Sequence, residues 1–315
     1  MNVNTATATT AIAEAYRGRF APSPTGLLHL GSLLAAAGSY LQARAQRGAW
    51  LLRFEDLDTP RVIPGAADQI LRTLERFGFE WDGPVTRQSE RLDLYRTALD
   101  RLLGAGQIFS CSCSRQGLAN LRPSVAADED EEPFYPGNCR NGPERSDVPL
   151  ASRFRAVDQP IEFTDALQGS YRQNVATQVG DFIVRRRDGV YAYQLAVVVD
   201  DDAQGITEVV RGCDLLSNTP RQMLLQKALG LPQPRYLHLP LLVEADGAKL
   251  AKSRRSVPLA GAGAGAQLHA VLRWLEQRPP AELAQAVPSE IMTWAAAHWN
   301  LEPLRGQQAI RLEAV

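Results

Sequence analysis

RFAPSPTGLLHLGS, residues 19–32, passes from a strand-like apolar start through a Pro-Ser-Pro turn to His29-Leu30-Gly31-Ser32. A helix-like run follows at once, SLLAAAGSYLQARA, with Leu33, Ala37 and Tyr40/Leu41 at i, i+4 and i+7/i+8. Strand, loop and helix N-terminus in this order present backbone N–H groups to an anion. Pro22 and Pro24 stiffen the loop, and Gly26 is free to take backbone shapes that other residues resist. Gly31 lets a flat ring or a phosphate approach the main chain, and His29 adds a donor there. In isolation the same residues also describe an ordinary strand-to-helix turn.

The chain of 315 residues is 45% hydrophobic and 22% charged, enough to bury a core as one large α/β domain with an insertion or as two domains. A net charge of −1 gives no global attraction for nucleic acid, so an RNA surface has to be a local patch. The first fifteen residues lack the basic start and apolar run of a secretion signal, and no apolar run approaches the ~20 residues of a membrane helix. A cytoplasmic protein with no membrane association is expected.

After the first helix, AWLLRF (49–54) reads as a buried strand ending in Glu55-Asp56-Leu57-Asp58-Thr59-Pro60. Carboxylates at a strand end lie where open α/β sheets bind ligands, though Asp58 or Thr59 before Pro60 also fits a helix cap. Helices are expected over 65–77, with Gly78 as its stop, and over 92–103, with Leu92, Tyr95, Leu99 and Leu102 on one side. RFRAVDQPIEFT (153–164) alternates like a strand, and DFIVRRRDGVYAY (181–193) reads as a hairpin about Asp188-Gly189. QLAVVVDDD (194–202) reads as a buried strand opened by Tyr193, and residues 205–212 as another strand with Arg211 near its end. Residues 215–229 and 267–277 carry helical spacing, and a further helical piece holds Ile291, Trp294 and Trp299. Arg185, Arg186 and Arg187 are either a solvated face or a phosphate patch. The acidic stretch 122–133 reads as a solvated loop.

Three of the four cysteines, Cys111, Cys113 and Cys139, form a Cys-x-Cys and a later single thiol, a pattern that points to metal chemistry more than to disulfides. A structural Zn²⁺ takes four ligands, and no histidine lies between Ser32 and Pro220 to complete the set. Tyr135, four residues before Cys139, is close enough to reach the same ion; three buried free thiols are the alternative. Cys213 reads as an ordinary buried thiol.

RFAPSPTGLLHLGS resembles the HIGH signature of class I aminoacyl-tRNA synthetases in the form used by the glutamyl and glutaminyl group, with Ser32 where the last His would stand. RFEDLDTPR (53–61) resembles that group's second landmark. KLAKS (249–253) resembles KMSKS, with Ala251 in place of a Ser and the second lysine, Lys252, retained. Cys-x-Cys followed by Tyr-x₃-Cys is similar to the zinc set of the short synthetase-like family that modifies queuosine, the glutamyl-queuosine tRNA(Asp) synthetases. The tail is too short for the anticodon-reading domain of full glutamyl or glutaminyl enzymes.

The resemblance covers about residues 17–259 and implies a Rossmann-type α/β catalytic domain, an inserted zinc-binding α/β subdomain and a short helical C-terminal region. The implied divisions are 1–16 as a disordered tail, 17–106 and 181–245 as the two Rossmann halves, 107–180 as the tRNA-docking insertion, 246–262 as the KMSKS-like loop region and 263–315 as the helical end. It implies glutamate activation by ATP with Mg²⁺, followed by transfer to queuosine at the wobble position of tRNA(Asp), by a monomer. His29 and Lys252 are the catalytic pair, and His29, Gly31, Ser32, Lys249 and Lys252 hold ATP. Arg19, Phe20, Ala21, Pro22, Ser23, Glu55, Tyr193 and Arg211 line the L-glutamate pocket, and Zn²⁺ falls to Cys111, Cys113, Tyr135 and Cys139. Guanidinium groups offer only donors, so Arg19 and Arg211 suit a carboxylate rather than an amide. One charge-assisted hydrogen bond is worth ~1.5–3 kcal/mol, so glutamate is expected to exceed glutamine by well over tenfold. A truncated glutamyl-tRNA synthetase acting on tRNA(Glu), and a non-catalytic tRNA-binding paralogue, are the alternatives.

Overall fold

The computed structural model describes residues 15–121, 133–244, 247, 259 and 263–312. The expected Lys249 and Lys252, the acidic stretch and most of the KMSKS-like region lie outside these residues. The chain opens with strand β1 (Arg17–Phe20), helix α1 (Leu30–Ala45) and strand β2 (Ala49–Phe54). Then come α2 (Ala66–Arg76), β3 (Thr86–Arg87) and α3 (Leu92–Gly104). β1, β2 and β3 pair in parallel, in the order β3-β2-β1.

The chain then forms β4 (Ile108–Cys111), α4 (Arg115–Leu121), β5 (Ala151–Phe154), β6 (Pro160–Asp165) and β7 (Gly169–Asn174). Beyond these lie α5 (Val175–Gln178) and β8 (Phe182–Arg185). β4, β5 and β8 form an antiparallel sheet and β6–β7 a separate hairpin. The stretch 153–164 is therefore two strands in two sheets rather than one. Strand β8 carries the insertion's sheet past the expected return at Gly180. Beyond it, the turn about Asp188-Gly189 closes with a single bridge between Arg185 and Tyr191.

The largest departure from the sequence reading is 194–202, which is not a strand but part of helix α6 (Tyr193–Ala203). A continuous apolar run fits a buried helix as well as a buried strand, and here Leu195 to Asp201 are buried all round. Strand β9 (Glu208–Gly212), helix α7 (Thr219–Leu229) and strand β10 (Arg235–Leu239) follow, with β9 and β10 parallel. The Thr207 amide donates to Arg17 O at 2.9 Å, so β9 abuts β1. The chain thus builds outward from β1 to β3 and returns on the other side of β1. That reversal is the switch point at which open α/β sheets bind ligands beyond the strands' carboxyl ends.

α1 covers this junction, and its Gly38 is required there: a Cβ would stand 2.4 Å from Leu239 of β10. The C-terminal part, β11 (Leu241–Val243), α8 (Ala264–Trp274), α9 (Pro288–His298) and β12 (Ala309–Arg311), is no appendage. Leu268, Leu272, Ile291 and Ala295 join Leu33, Leu41, Trp50 and Leu52 in one apolar core, and β12 pairs with β11. Leu92, expected on the buried side of α3, is 48% exposed, whereas Tyr95, Leu99 and Leu102 are buried. No helix of the described residues is long and apolar enough to cross a membrane.

Candidate active site and metal cluster

His29 caps α1. Its Nδ1 accepts from the Ser32 amide at 3.3 Å, and its Nε2 lies 3.2 Å from Ser32 Oγ. Burial holds its pKa below the ordinary imidazole value, so the ring is neutral near pH 7. Nδ1 being the acceptor, Nε2 carries the proton. A Cβ on Gly31 would lie 3.1 Å from the ring, so the glycine leaves room for this side chain. His29, Gly31 and Ser32 face Gly212, Asp214, Leu239 and Leu242 across a groove of ≈ 240 Å³. A second pocket of ≈ 620 Å³ runs along Pro22, Ser23, Gly26 and His29. The loop is tied to β2 where the Glu55 amide donates to Pro22 O at 3.1 Å. Phe20 stacks on Trp50 in the core at 6.1 Å between ring centroids.

Beneath this loop lies a buried ionic network. Arg19 donates to Asp201 through Nε (3.1 Å) and Nη2 (3.3 Å). Arg53, fully buried, donates to Asp201 Oδ1 at 2.8 Å and to Gln204 Oε1 at 2.6 Å, and reaches Glu55 Oε1 at 3.5 Å. Asp200 accepts from Gln88, Arg91 and Tyr95 at 2.7–2.8 Å. Burial opposes the charge of Asp201, but Arg19 and Arg53 outweigh it and hold that carboxyl below the usual range. For Glu55 burial prevails over Arg53 and Arg19, and its pKa is raised.

Arg211, near the end of β9, has a different set of partners from Arg19 and Arg53. Arg211 Nη1 donates to Tyr193 OH at 3.1 Å, Nη2 to Thr219 Oγ1 at 2.8 Å and to Leu215 O at 3.3 Å, and Nε to His238 Nε2 at 3.0 Å. Burial raises the pKa of Tyr193, whose hydroxyl also feels Arg211, Glu55 and Arg19. Tyr193, presented from a helix, thus contacts Arg211 directly and feels the charges of Arg19 and Glu55. Arg53, Asp201 and His238 were not singled out in the sequence. The legible signal for Arg53 was a charged residue inside an apolar strand, which is almost never left unpaired.

Cys111, Cys113 and Cys139 bring their sulfurs within 4.8 Å of one another. Tyr135 OH lies 3.7 Å from Cys111 Sγ and accepts from the Cys139 amide at 2.7 Å. Burial raises the Cys139 thiol, but hydrogen bonds around Ser112, Glu144 and Tyr135 outweigh it and draw its pKa down to about 6. Burial and the neighbouring sulfurs push Cys113 up to about 12. Arg153, 3% exposed, lies 4.1 Å over the Tyr135 ring and donates to Cys111 Sγ at 3.3 Å. Three thiolates and a divalent ion leave one negative charge, which this guanidinium offsets, so the donor set suits a thiophilic divalent metal. Gly180, with φ +83°, holds Tyr135 in place, since a Cβ would meet Tyr135 O at 2.1 Å. Cys213, partly exposed, lies outside this cluster, and burial raises its thiol to about 11.

Between the cluster and the strand-end loop is a cleft of ≈ 650 Å³ carrying Arg61, Arg115, Arg153, Arg186 and Arg187 against Asp58 and Asp188. Asp58 makes no side-chain cap for the turn that follows it; it receives Arg61 at 2.9 Å and Arg186 at 2.8 Å. Arg187 donates to Ser112 O, and Arg185 lies over Tyr191. The triple arginine is therefore docked structure with a charged rim, not a plain solvated run.

The family of class I tRNA synthetases (E and Q), catalytic domain, matches residues 15–261. The Glutamyl-Q tRNA(Asp) synthetase of Pseudomonas aeruginosa is 54% identical over 288 residues, 91% of this chain and 94% of that relative. Those of Geobacter sulfurreducens and Dechloromonas aromatica are 52% and 50% identical, over 91% and 95% of this chain and 92% and 99% of theirs. Among solved structures, glutamate-tRNA synthetase from Elizabethkingia anophelis superposes with a TM-score of 0.77 at 27% identity, covering 96% of this chain and 68% of that one. By its strand-end His29 site, its sheet order and these relatives, the chain belongs to the glutamyl-Q tRNA(Asp) synthetase family of the class I (E and Q) tRNA synthetases.

Proposed function

We propose that this protein activates L-glutamate with ATP and transfers the glutamyl group to queuosine in tRNA(Asp), the activity in the names of its relatives. The observation that supports the first step is that Arg211 donates to the Tyr193 hydroxyl while Arg19 and Glu55 act on that hydroxyl through their charge. Guanidinium donors take the side-chain carboxylate, and Glu55 pairs with the ammonium. The substrate's α-carboxylate attacks the α-phosphorus of ATP, forming the mixed anhydride and releasing pyrophosphate. The protein contributes position and charge. His29 donates from Nε2 to a phosphate oxygen at the N-terminus of α1, with Gly31 and Ser32 beside it. Lys249 and Lys252 neutralise charge as pyrophosphate departs. Mg²⁺ accompanies ATP.

Cys111, Cys113 and Cys139, with Tyr135 as fourth ligand, would hold Zn²⁺, which supplies structural cross-linking of the insertion and no chemistry at the substrate. The arginine-rimmed cleft suits the phosphates of the acceptor RNA. It begins at Asp58, three residues from Glu55, and three residues span at most ~10 Å, so a nucleotide chain bound there keeps its reacting hydroxyl near the adenylate.

The test is incubation with ATP and labelled glutamate in the presence of tRNA(Asp) with or without queuosine, or of tRNA(Glu). Label is expected on queuosine-containing tRNA(Asp) alone. Label on queuosine-free tRNA(Asp) or on tRNA(Glu) overturns the acceptor, and absence of glutamate-dependent ATP–pyrophosphate exchange overturns the activation step.

A further inference from the structure

Asp165 closes strand β6 of the insertion, far from the glutamate position in sequence. Its side chain is 1% exposed, and His238, on β10, is wholly buried. His238 Nδ1 lies 2.6 Å from Asp165 Oδ2, while its Nε2 accepts from Arg211 Nε at 3.0 Å. A guanidinium has only donors, so Nε2 must be unprotonated and the proton must sit on Nδ1, facing the carboxylate. The Thr219 hydroxyl, 3.4 Å from Nε2, also takes Arg211 Nη2. Of the five N–H groups of Arg211, four have acceptors among the described residues: His238, Tyr193, Thr219 and Leu215 O. One N–H on Nη1 remains, beside the Tyr193 hydroxyl.

We infer that Asp165 and His238 are positioning residues for glutamate selectivity, fixing Arg211 so that one Nη1–H and the Tyr193 hydroxyl face the substrate's side-chain carboxylate. This rests on the glutamate reading of the site. The insertion thereby reaches into amino-acid recognition as well as carrying the metal cluster.

Substitution Asp165→Asn isolates the effect. Asp165 Oδ1 accepts three backbone amides, from Leu167 (3.0 Å), Gln168 (2.9 Å) and His238 (3.2 Å). Those donors hold the asparagine oxygen in that place and turn its NH₂ group towards His238 Nδ1. The imidazole must then carry its proton on Nε2, donor against donor with Arg211 Nε–H.

Two measurements test the proposal. In ¹⁵N-histidine NMR the chain's four histidines give few signals. His238 is expected to show the Nδ1–H tautomer, and Asp165→Asn to convert it to Nε2–H. In ATP–pyrophosphate exchange, Asp165→Asn is expected to raise KM for glutamate at least tenfold, to leave KM for ATP within twofold, and to narrow the preference for glutamate over glutamine. His238→Gln, which restores an acceptor to Arg211 Nε, is expected to recover part of the glutamate KM that His238→Leu loses. An Nε2–H tautomer in the unaltered protein overturns the relay. So does an unchanged glutamate KM, an equal rise for ATP, or equal behaviour of the Gln and Leu variants. Exchange absent from the unaltered protein, with the Nδ1–H tautomer present, overturns the glutamate reading and with it the selectivity role.

Discussion

Gly31 shows how one missing atom serves the site. Its backbone is helical, so an alanine is tolerated by α1 and stabilises it by up to ~1 kcal/mol. Yet the new Cβ would press on His29 at 3.1–3.2 Å and turn the ring away from the groove. Gly31→Ala is expected to keep or raise the thermal midpoint while lowering kcat for ATP–pyrophosphate exchange about tenfold, one hydrogen bond's worth. A fall in both quantities together would mean that the glycine serves the fold instead. At this scale the sequence named His29, Gly31, Glu55, Tyr193 and Arg211, and the structure sets His29 against Gly31 at the start of α1 and Arg211 against Tyr193. It did not give the partners of Arg53, Asp165 and His238, because a buried polar side chain takes its meaning from groups that lie more than a hundred residues away (Arg53–Asp201) or across elements (His238–Asp165).

At the scale of elements, the link between β2 and α6 is electrostatic. Arg53 stands at the end of β2 and meets Asp201, Asp200 and Glu55, with helix α6 supplying two of those three carboxylates. Removing the cation while keeping the acids leaves buried charge uncompensated, at a cost of ~3–5 kcal/mol. Arg53→Leu is expected to lower the urea midpoint accordingly, and Arg53→Leu combined with Asp201→Asn to regain part of the loss. Equal stability of the single variant and the parent would show the network to be dispensable. The same helix explains the chief error of the sequence reading. VVV followed by DD has no helical stripe, since α6 is enclosed on every side from Gln194 to Asp201: apolar neighbours surround Val197 and Val198, while arginines and Gln88 meet Asp200 and Asp201. Periodicity reports an interface between core and water, and an element without such an interface has none to report.

For the whole molecule, pH and metal are the two levers. Burial holds His29 and His238 below the ordinary imidazole pKa. Asp165 raises His238, while Arg211 and Arg19 lower it, and Tyr236 stacks on it without charge. The unfolded chain therefore takes up protons that the folded chain refuses, and stability falls as pH drops below about 6.5 towards the lower folded values. Asp165 and Asp201, depressed in the fold, add stability that is present above their unfolded pKa and lost only as pH falls through their folded values. The thermal midpoint is expected to decline from pH 7.5 to 5.5, less steeply in His238→Gln; a flat profile would refute the assignment. Metal removal acts elsewhere. Cys111, Tyr135 and Cys139 form a small apolar cluster of their own with Phe109 and Leu118. Chelation, or Cys139→Ser, is expected to abolish bound zinc and to lower transfer to tRNA before glutamate activation. Simultaneous loss of both would show that the insertion and the catalytic sheet stand or fall together.

The sequence by itself determined the first strand, the loop that ends at His29, the helix that follows it, and the neighbouring pairs Cys111/Cys113 and Tyr135/Cys139. Each of these is written in local spacing, where neighbours along the chain are neighbours in space. Only the tertiary structure decided that 193–203 is a helix, that Asp201 belongs to Arg19 and Arg53, that α8 and α9 complete the main core, and that Asp165 holds Arg211 through His238. Those depend on which distant surfaces meet. A buried charge or imidazole has no preferred partner until the fold removes water and leaves it one.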